Sequence, residues 1–316
     1  MKRTSKILAG GAVALLIGFI VWLVGMSLID WNFYRLDTAK YTERSYVCES
    51  EVKSISVSLS SFPLTIKKGD SVLLDYYEAD NSEVFVEEKN GVLSVVEKYK
   101  YKPFSSGLFN VGRLTHKFSL TVASGAKLEI NGSNSYIYIS GVTFDEFSIT
   151  GANADIRFAD VEFGNLNMNV DNSDIEFKNC TMGALSIIGV NTDCELNGST
   201  IDSMSVRSAN ADIGMMNCKT SELNVNATNL EITADDCEFN SVVIDSTNAD
   251  CELLRAALNK LKIDSTNLDA EIEITGTASE YTVKTKGRMM PAERIGTTDK
   301  LIELSGTNND VTLKFV

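Results

Sequence analysis

Between Leu128 and Ile274 apolar and polar positions repeat every 19 residues. Asparagine marks the period at 134, 153, 172, 191, 210, 229, 248 and 267. Six residues before each Asn stands an apolar residue: Leu128, Phe147, Leu166, Leu185, Met204, Leu223, Val242 and Leu261. Four before it stand Ile130, Ile149, Met168, Ile187, Val206, Val225, Ile244 and Ile263. These two positions alternate with polar residues, which is strand periodicity. Positions +3 and +5 alternate in the same way, as in Ile156 with Phe158, and positions +8 and +10 form a third pair, as in Val161 with Phe163. Polar turn residues separate the pairs and leave no room for a helix of ordinary length. Three short strands and three turns per 19 residues describe one coil of a parallel β-solenoid. Successive coils stack at ~4.8 Å, so equivalent side chains form ladders. A single coil cannot bury its apolar row alone, so each depends on its neighbours.

The fold class expected is therefore all-β: a parallel β-solenoid over residues 126–316, with a β-rich cap before it and one transmembrane helix at the amino end. Position 0 falls where the inward parity changes, so the Asn ladder marks a corner. Asn tolerates left-handed backbone and bonds its own turn, and stacked amides can link coil to coil. The alternative is that the ladder Asn134, Asn153, Asn172, Asn191, Asn210, Asn229, Asn248 and Asn267 lines a ligand groove.

Residues 51–125 lack the 19-residue frame. Ile55, Val57 and Leu59 alternate, then Leu64 and Ile66; Asn90-Gly91 between alternating runs predicts a hairpin. Tyr99 to Arg113 reads as a loop, with Phe118, Leu120 and Val122 a further strand. This region is expected to cover the first coil, because a bare solenoid end presents open strand edges. At the other end the register slips near Ala278–Glu280, Gly287 to Lys300 reads as an inserted loop, and Ile302, Leu304, Asn308, Asp310, Val311 and Leu313 restate the template. With no polar capping helix, either the loop folds over that end or the end is adhesive.

The first 50 residues are of another kind. Lys2, Arg3 and Lys6 precede an uncharged stretch from Ile7 to Ile29, longer than the ~20 residues needed to span a bilayer core. Trp31, Phe33 and Tyr34 fit an interfacial aromatic belt, and the basic residues place the amino end in the cytoplasm. The expected organisation is a tip and anchor over 1–29, a juxtamembrane linker over 30–50, and an extracellular bulk on a single-pass cell-membrane protein. Gly11, Gly18 and Gly25 share one helix face, a spacing that permits close helix contact but is also common in such helices.

The net charge of −14 argues against nucleic acid as a partner. His116 is the one histidine, so a Ser–His or Cys–His pair would have to use it; its polar setting, Thr115-His116-Lys117, reads as exposed and without a role, and no phosphate-cradling loop or zinc-ligand spacing occurs. No catalytic residue and no cofactor is expected. Of six cysteines, Cys180, Cys218 and Cys237 occupy position +8, Cys194 and Cys251 position +3, and Cys48 stands alone. Free cysteine packs as a small hydrophobe, and no structural disulfide is expected; Cys218 with Cys237 is the one exception whose coil spacing suits a bridge.

One chemical candidate exists, an acidic row at position +2: Asp155, Asp174, Asp193, Asp212, Glu231, Asp250 and Asp269. Adjacent carboxylates at coil spacing repel by roughly 0.9 kcal/mol in bulk water. Local turn bonds to backbone N–H groups offset this, or calcium bridges neighbours. The glycine-rich nonapeptide of calcium-binding β-rolls is absent, which favours turn bonding.

The basic-apolar anchor, the segment Asp30-Trp31-Asn32-Phe33-Tyr34-Arg35-Leu36, the Ile55-Ser56-Val57 strand, the Asn90-Gly91-Val92-Leu93 hairpin and the Asn-x-Asp coils together resemble a bacterial envelope family of membrane-anchored “putative adhesins” with β-strand repeats, itself a domain of unknown function. The resemblance covers nearly all of the chain. It implies a tethered, outward-facing β-solenoid without catalytic residues, binding an envelope polymer or protein as a scaffold. Two other readings are a self-assembling structural polymer and a β-helix enzyme acting on polysaccharide. The enzyme needs long loops that build a cleft, and every turn between 128 and 274 is short.

Overall fold

The computed structural model describes residues 3–32, 40–60, 63–80, 82–100 and 116–316. The expected loop at 99–113 lies for the most part outside the described residues, as do Phe33 and Tyr34. Helix α1 (Arg3–Leu28) is followed by β1 (Tyr41–Val47), β2 (Ser54–Ser60), β3 (Leu64–Lys68), β4 (Leu73–Ala79), β5 (Ser82–Lys89), β6 (Val92–Tyr99) and β7 (Phe118–Val122). The coils follow as β8 (Ala126–Ser133), β9 (Tyr136–Ser140), β10 (Thr143–Ala152), β11 (Asp155–Ala159), β12 (Glu162–Asp171), β13 (Ser173–Lys178), β14 (Thr181–Asn197), β15 (Thr200–Met216), β16 (Lys219–Asp235) and β17 (Glu238–Ile274). Strands β18 (Tyr281–Lys286) and β19 (Lys300–Phe315) complete the chain.

The pairing is that of a parallel β-solenoid in the 19-residue register. Ile156 pairs with Ile175, Ile175 with Cys194, Cys194 with Ile213 and Ile213 with Ile232. All three apolar pairs of each coil point inward. Phe158, Phe163, Leu166 and Met168 of one coil are at most 4% exposed. Equivalent rings stack between coils, with Phe158 and Phe177 centroids 4.8 Å apart, so the core consists of side-chain columns running along the axis. Burying each such large side chain contributes about 1.5–3 kcal/mol.

The corners differ from the expectation in an informative way. Asn134, Asn153 and Asn172 are left-handed, with φ of 54°, 53° and 49°. From Asn191 onward the same corner is turned inside continuous strands without a left-handed residue. Position −2 in these coils is small: Gly189, Ser208, Ala227, Ser246 and Ser265, as are Gly132 and Gly151 in the first two. The Ser208 hydroxyl lies 3.0 Å from the Val190 carbonyl oxygen and 2.7 Å from that of Asn210. Ser265 does the same between Thr247 and Asn267.

A second column, at position +7, is left-handed from Gly141 to Arg255: Gly141, Asp160, Asn179, Gly198, Asn217, Asp236 and Arg255. Arg255 is the exception to the Gly/Asn/Asp rule for this conformation, and its guanidinium is held by Asp235 and Asp236 of the preceding coil. Where the residue after the left-handed position is Ser or Cys, its side chain seals the corner. Ser199 Oγ accepts the Cys180 N–H at 3.1 Å and lies 3.3 Å from the Asn197 carbonyl. Cys237 Sγ accepts the Cys218 N–H at 3.5 Å and lies 3.3 Å from the Asp235 carbonyl. Ser173 plays this part at the other corner. The position +8 cysteines are thus more than small hydrophobes: their thiols do the work of a serine hydroxyl at a buried turn.

Both ends are closed by departures from simple winding. At the amino end β2 and β3 form an extra coil, with Ile55 paired to Leu128 and Leu64 to Ile137. Strands β6 and β7 lie outside it, in parallel with β2 and β3. The predicted hairpin joins β5 to β6, with Asn90 and Gly91 both at positive φ. Antiparallel β4 and β1 complete the β-rich cap. At the carboxyl end the chain overshoots and returns. β19 pairs with β17 on one side, Leu261 to Ile302, and with β18 on the other, Val283 to Ile302. The later strand is therefore inserted between two earlier ones. The loop after β18 folds over this end: Arg294 bridges to Val283 through two backbone hydrogen bonds, and its guanidinium lies over the Phe315 ring. Buried Tyr281 donates to the Leu258 carbonyl at 2.7 Å.

The corner seal gives a stability test. Ser199→Ala leaves the buried Cys180 N–H without an acceptor and is expected to cost about 1–3 kcal/mol in urea denaturation. Ser199→Cys, which copies its neighbours in the column, is expected to cost clearly less; equal losses for the two variants contradict the sealing role.

Candidate functional site

The two rows singled out in the sequence lie side by side. Asn and the acidic residue two positions later are separated by one buried residue, so the rows form the walls of a shallow groove. It runs along the solenoid from Asn172 to Asn308 and has a volume of about 820 Å³. Its floor is Ser173, Thr192, Ala211, Leu230, Ala249 and Leu268, none more than 5% exposed. Asn134, Asn153 and Asp155 belong to the same columns but lie outside the groove, where Arg157 pairs with Asp155 at 3.0 Å and covers the Tyr136 ring. At the other end β19 adds Asn308 to the Asn wall and brings Asp310 into register with Asp269. Those two members fall out of the 19-residue count because 41 residues separate Asn308 from Asn267; their signal was the Asn-Asn-Asp triplet itself.

The Asn wall is a chain of amide hydrogen bonds, each Nδ2 donating to the Oδ1 one coil back. The distances run from 2.6 to 2.8 Å for Asn210, Asn229, Asn248, Asn267 and Asn308 as donors. Asn153 donates to Asn134 at 3.1 Å, and the chain is interrupted between Asn153 and Asn172. Each amide keeps one N–H and one oxygen lone pair free for a ligand at every coil.

The acidic wall is electrostatically uncomfortable. Burial raises the Asp193 carboxyl above its ordinary value of 3.8, and Asp212 and Asp174 on either side raise it further. Asp212 is raised by burial and then by Glu231 and Glu195. No local turn bond offsets this at either residue, contrary to the expectation for the row. Among the described residues no three His, Cys, Asp or Glu side chains converge on a point where a metal ion could sit; the row presents one carboxylate per coil, in line. His116, read as exposed, is half-buried in the cap, stacked on Tyr41 at 3.9 Å and edge-on to Tyr77. It lies apart from the groove lining.

The sequence matches the Toastrack DUF4097 family over residues 52–220 and 200–288, which span most of the chain. The chain belongs to this family. The match takes in the extra coil at the amino end as well as the repeats. No curated protein is significantly similar to the sequence. Among solved structures it is similar to a “putative adhesin” from Parabacteroides merdae (14% identity, 88% of this chain and 96% of that chain, TM-score 0.48). It is similar to a “putative lipid binding protein” from Parabacteroides distasonis (14% identity, 88% and 97%, TM-score 0.45). A “putative adhesin” from Bacteroides fragilis shows the same identity and coverage at a TM-score of 0.41. Likenesses this distant transfer no residue role to this Toastrack chain.

The acidic wall has a pH signature. A carboxyl whose folded pKa is raised binds its proton more tightly in the folded state, so its effect on stability is absent at low pH and becomes a loss as pH rises through the folded value. Asp193→Asn is therefore expected to stabilise the fold at pH 7 by a few tenths to about 1 kcal/mol, screened by salt. The gain should vanish well below 3.8; a pH-independent difference in chemical denaturation refutes the repulsion.

Proposed function

We propose that the protein is a membrane-tethered, outward-facing scaffold that holds an extended polymer or partner protein of the cell envelope along the Asn/Asp groove, without catalysing a reaction. The observation that carries this reading is the groove. It offers an amide and a carboxylate at each coil over an apolar floor, repeated at strand spacing and open to solvent. A ligand with its own repeat can engage several coils at once, and weak contacts then add along its length. The carboxylates repel anionic polymers, so the occupant is neutral or cationic.

The tether is supported by α1, whose Gly10–Leu28 segment has a mean hydropathy of 2.3 over 19 residues. That length and composition suit a membrane anchor or a signal sequence, and Arg3 and Lys6 at its start favour an amino end in the cytoplasm. The absence of an acid, base or nucleophile partnership in the groove supports binding over chemistry. The position +2 row also supports a second use, in which calcium bridges successive carboxylates and relieves their repulsion.

Full-length protein in detergent micelles, incubated with isolated envelope fractions, tests the main reading. The wild type is expected to be retained, and a variant carrying Asp212→Lys and Asp250→Lys to lose retention several-fold while keeping its circular dichroism spectrum. Undiminished retention of the folded variant removes the groove as the binding surface. Protease added to intact cells should remove the solenoid if it faces outward. The calcium use predicts a higher melting temperature at millimolar calcium, and an unchanged melt eliminates it.

A further inference from the structure

We propose that Cys218 and Cys237 form a redox-modification site, in which a small soluble disulfide oxidises the two thiols to one bond that staples successive coils. The two residues occupy the same corner position one coil apart, and the Glu238 N–H bonds to the Cys218 carbonyl at 2.9 Å, which fixes them one above the other. The Cys218 N–H meets the Cys237 sulfur at 3.5 Å. Strand spacing of ~4.8 Å falls within the ~4.4–6.8 Å Cα window of a disulfide. Each sulfur at present points to a carbonyl two residues back, that of Met216 or Asp235, both at 3.3 Å. Rotation about χ1 turns them from those carbonyls toward one another; the ~4.8 Å ladder spacing exceeds the ~3.5–4.5 Å Cβ window of a disulfide, so bond formation also draws the two corners together.

The other cysteines lack this arrangement. Cys180 has Val161 and Ser199 as its column neighbours. Cys194 and Cys251 share a column but stand three coils apart, and Cys48 lies in the amino-terminal segment. The pair is also chemically asymmetric. The neighbouring Cys237 lowers the Cys218 thiol below its ordinary value, and Cys218 together with burial raises Cys237. Cys218 is thus the better first nucleophile, since the thiolate is the reactive form.

In the first step the Cys218 thiolate attacks one sulfur of the soluble disulfide, forming a mixed disulfide and releasing one thiolate. The Cys237 thiolate then attacks the Cys218 sulfur and expels the second. Two protein thiols are oxidised, one soluble disulfide is reduced to two thiols, and the two protons pass to the departing thiolates. Both protein sulfurs are only 1% exposed, so exchange proceeds through opening of the corner at Asn217 and Asp236. The new bond closes a loop of one coil and restricts the unfolded chain.

The test uses the full chain in detergent micelles, oxidised with hydroxyethyl disulfide, then alkylated and mapped by mass spectrometry without reduction. The expected result is a Cys218–Cys237 linked peptide and a urea midpoint that rises on oxidation and returns with dithiothreitol. Cys218→Ser should match the reduced wild type in midpoint and show no rise on oxidation, since serine seals the same corner at Ser199. If that variant does not fold, Cys237→Ser is the control, and the wild-type map decides by itself. Recovery of both cysteines as alkylated thiols, as separate mixed disulfides, or in a Cys194–Cys218 link overturns the proposal.

Discussion

Everything in this molecule depends on one constraint: each coil must lie in register on the next, with equivalent residues directly above one another. The strand ladders impose it, because a parallel pair shifted by one residue turns every inward side chain outward. Once it holds, a favourable choice at one position is repeated along the axis. Phenylalanines stack on phenylalanines, amides bond amides, and left-handed residues stand over left-handed residues. The same repetition multiplies unfavourable choices. A carboxylate placed once beside the Asn corner becomes a line of carboxylates, and Asp193 and Asp212 bear the result as raised proton affinities.

The corners are where the constraint is hardest to satisfy. Every turn takes backbone N–H groups out of the ladder and leaves them near the core edge, where an unpaired donor is costly. Two devices answer this. One is a left-handed residue followed by a small residue with a hydroxyl or thiol, as at Gly198-Ser199, Asn217-Cys218 and Asp236-Cys237. The other, from Asn191 onward at the first corner, keeps the strand extended, and at Ser208 and Ser265 seats a serine hydroxyl between two carbonyls. Cys180, Cys218 and Cys237 follow the first device, which places two of them one coil apart and creates the possibility of a bond.

The repeat was fully legible in the sequence because its period is fixed by ladder geometry and every coil repeats it. The apolar amino-terminal helix, the hairpin at Asn90-Gly91 and the side-by-side Asn and acidic rows were legible for equally local reasons. The column at position +7 carried a signal of its own, Gly, Asp, Asn, Gly, Asn and Asp at 141 to 236, but the more uniform Asn column drew attention to the wrong corner for the later coils. The ends were less readable because there partner strands are distant in sequence. Ile55 lies on Leu128 across a span of cap strands, and β18 lies beyond β19 although it comes first in the chain. No periodicity encodes an overshoot of that kind.

That overshoot bears on how a solenoid of this kind can be displayed without polymerising. A simple termination exposes an entire coil of unpaired strand edges, which would template addition of a second chain. Here β18 covers the first part of β19, Arg294 ties the following loop back to Val283, and its guanidinium shields Phe315. Lys314, reaching Glu271 at 2.6 Å and Glu273 at 3.3 Å, adds a charged side chain along the remaining part of the strand. The amino end is closed more heavily, by two parallel strands outside the extra coil and by antiparallel partners beyond them. With the amino end closed and the carboxyl end covered in part, the long lateral surface between them stays open, and along it the groove between the amide and carboxylate ladders combines concavity, a largely apolar floor and repeated polar groups. End-to-end assembly requires at least one of these closures to open, whereas lateral binding requires no rearrangement. The geometry therefore favours a protein that works from its side.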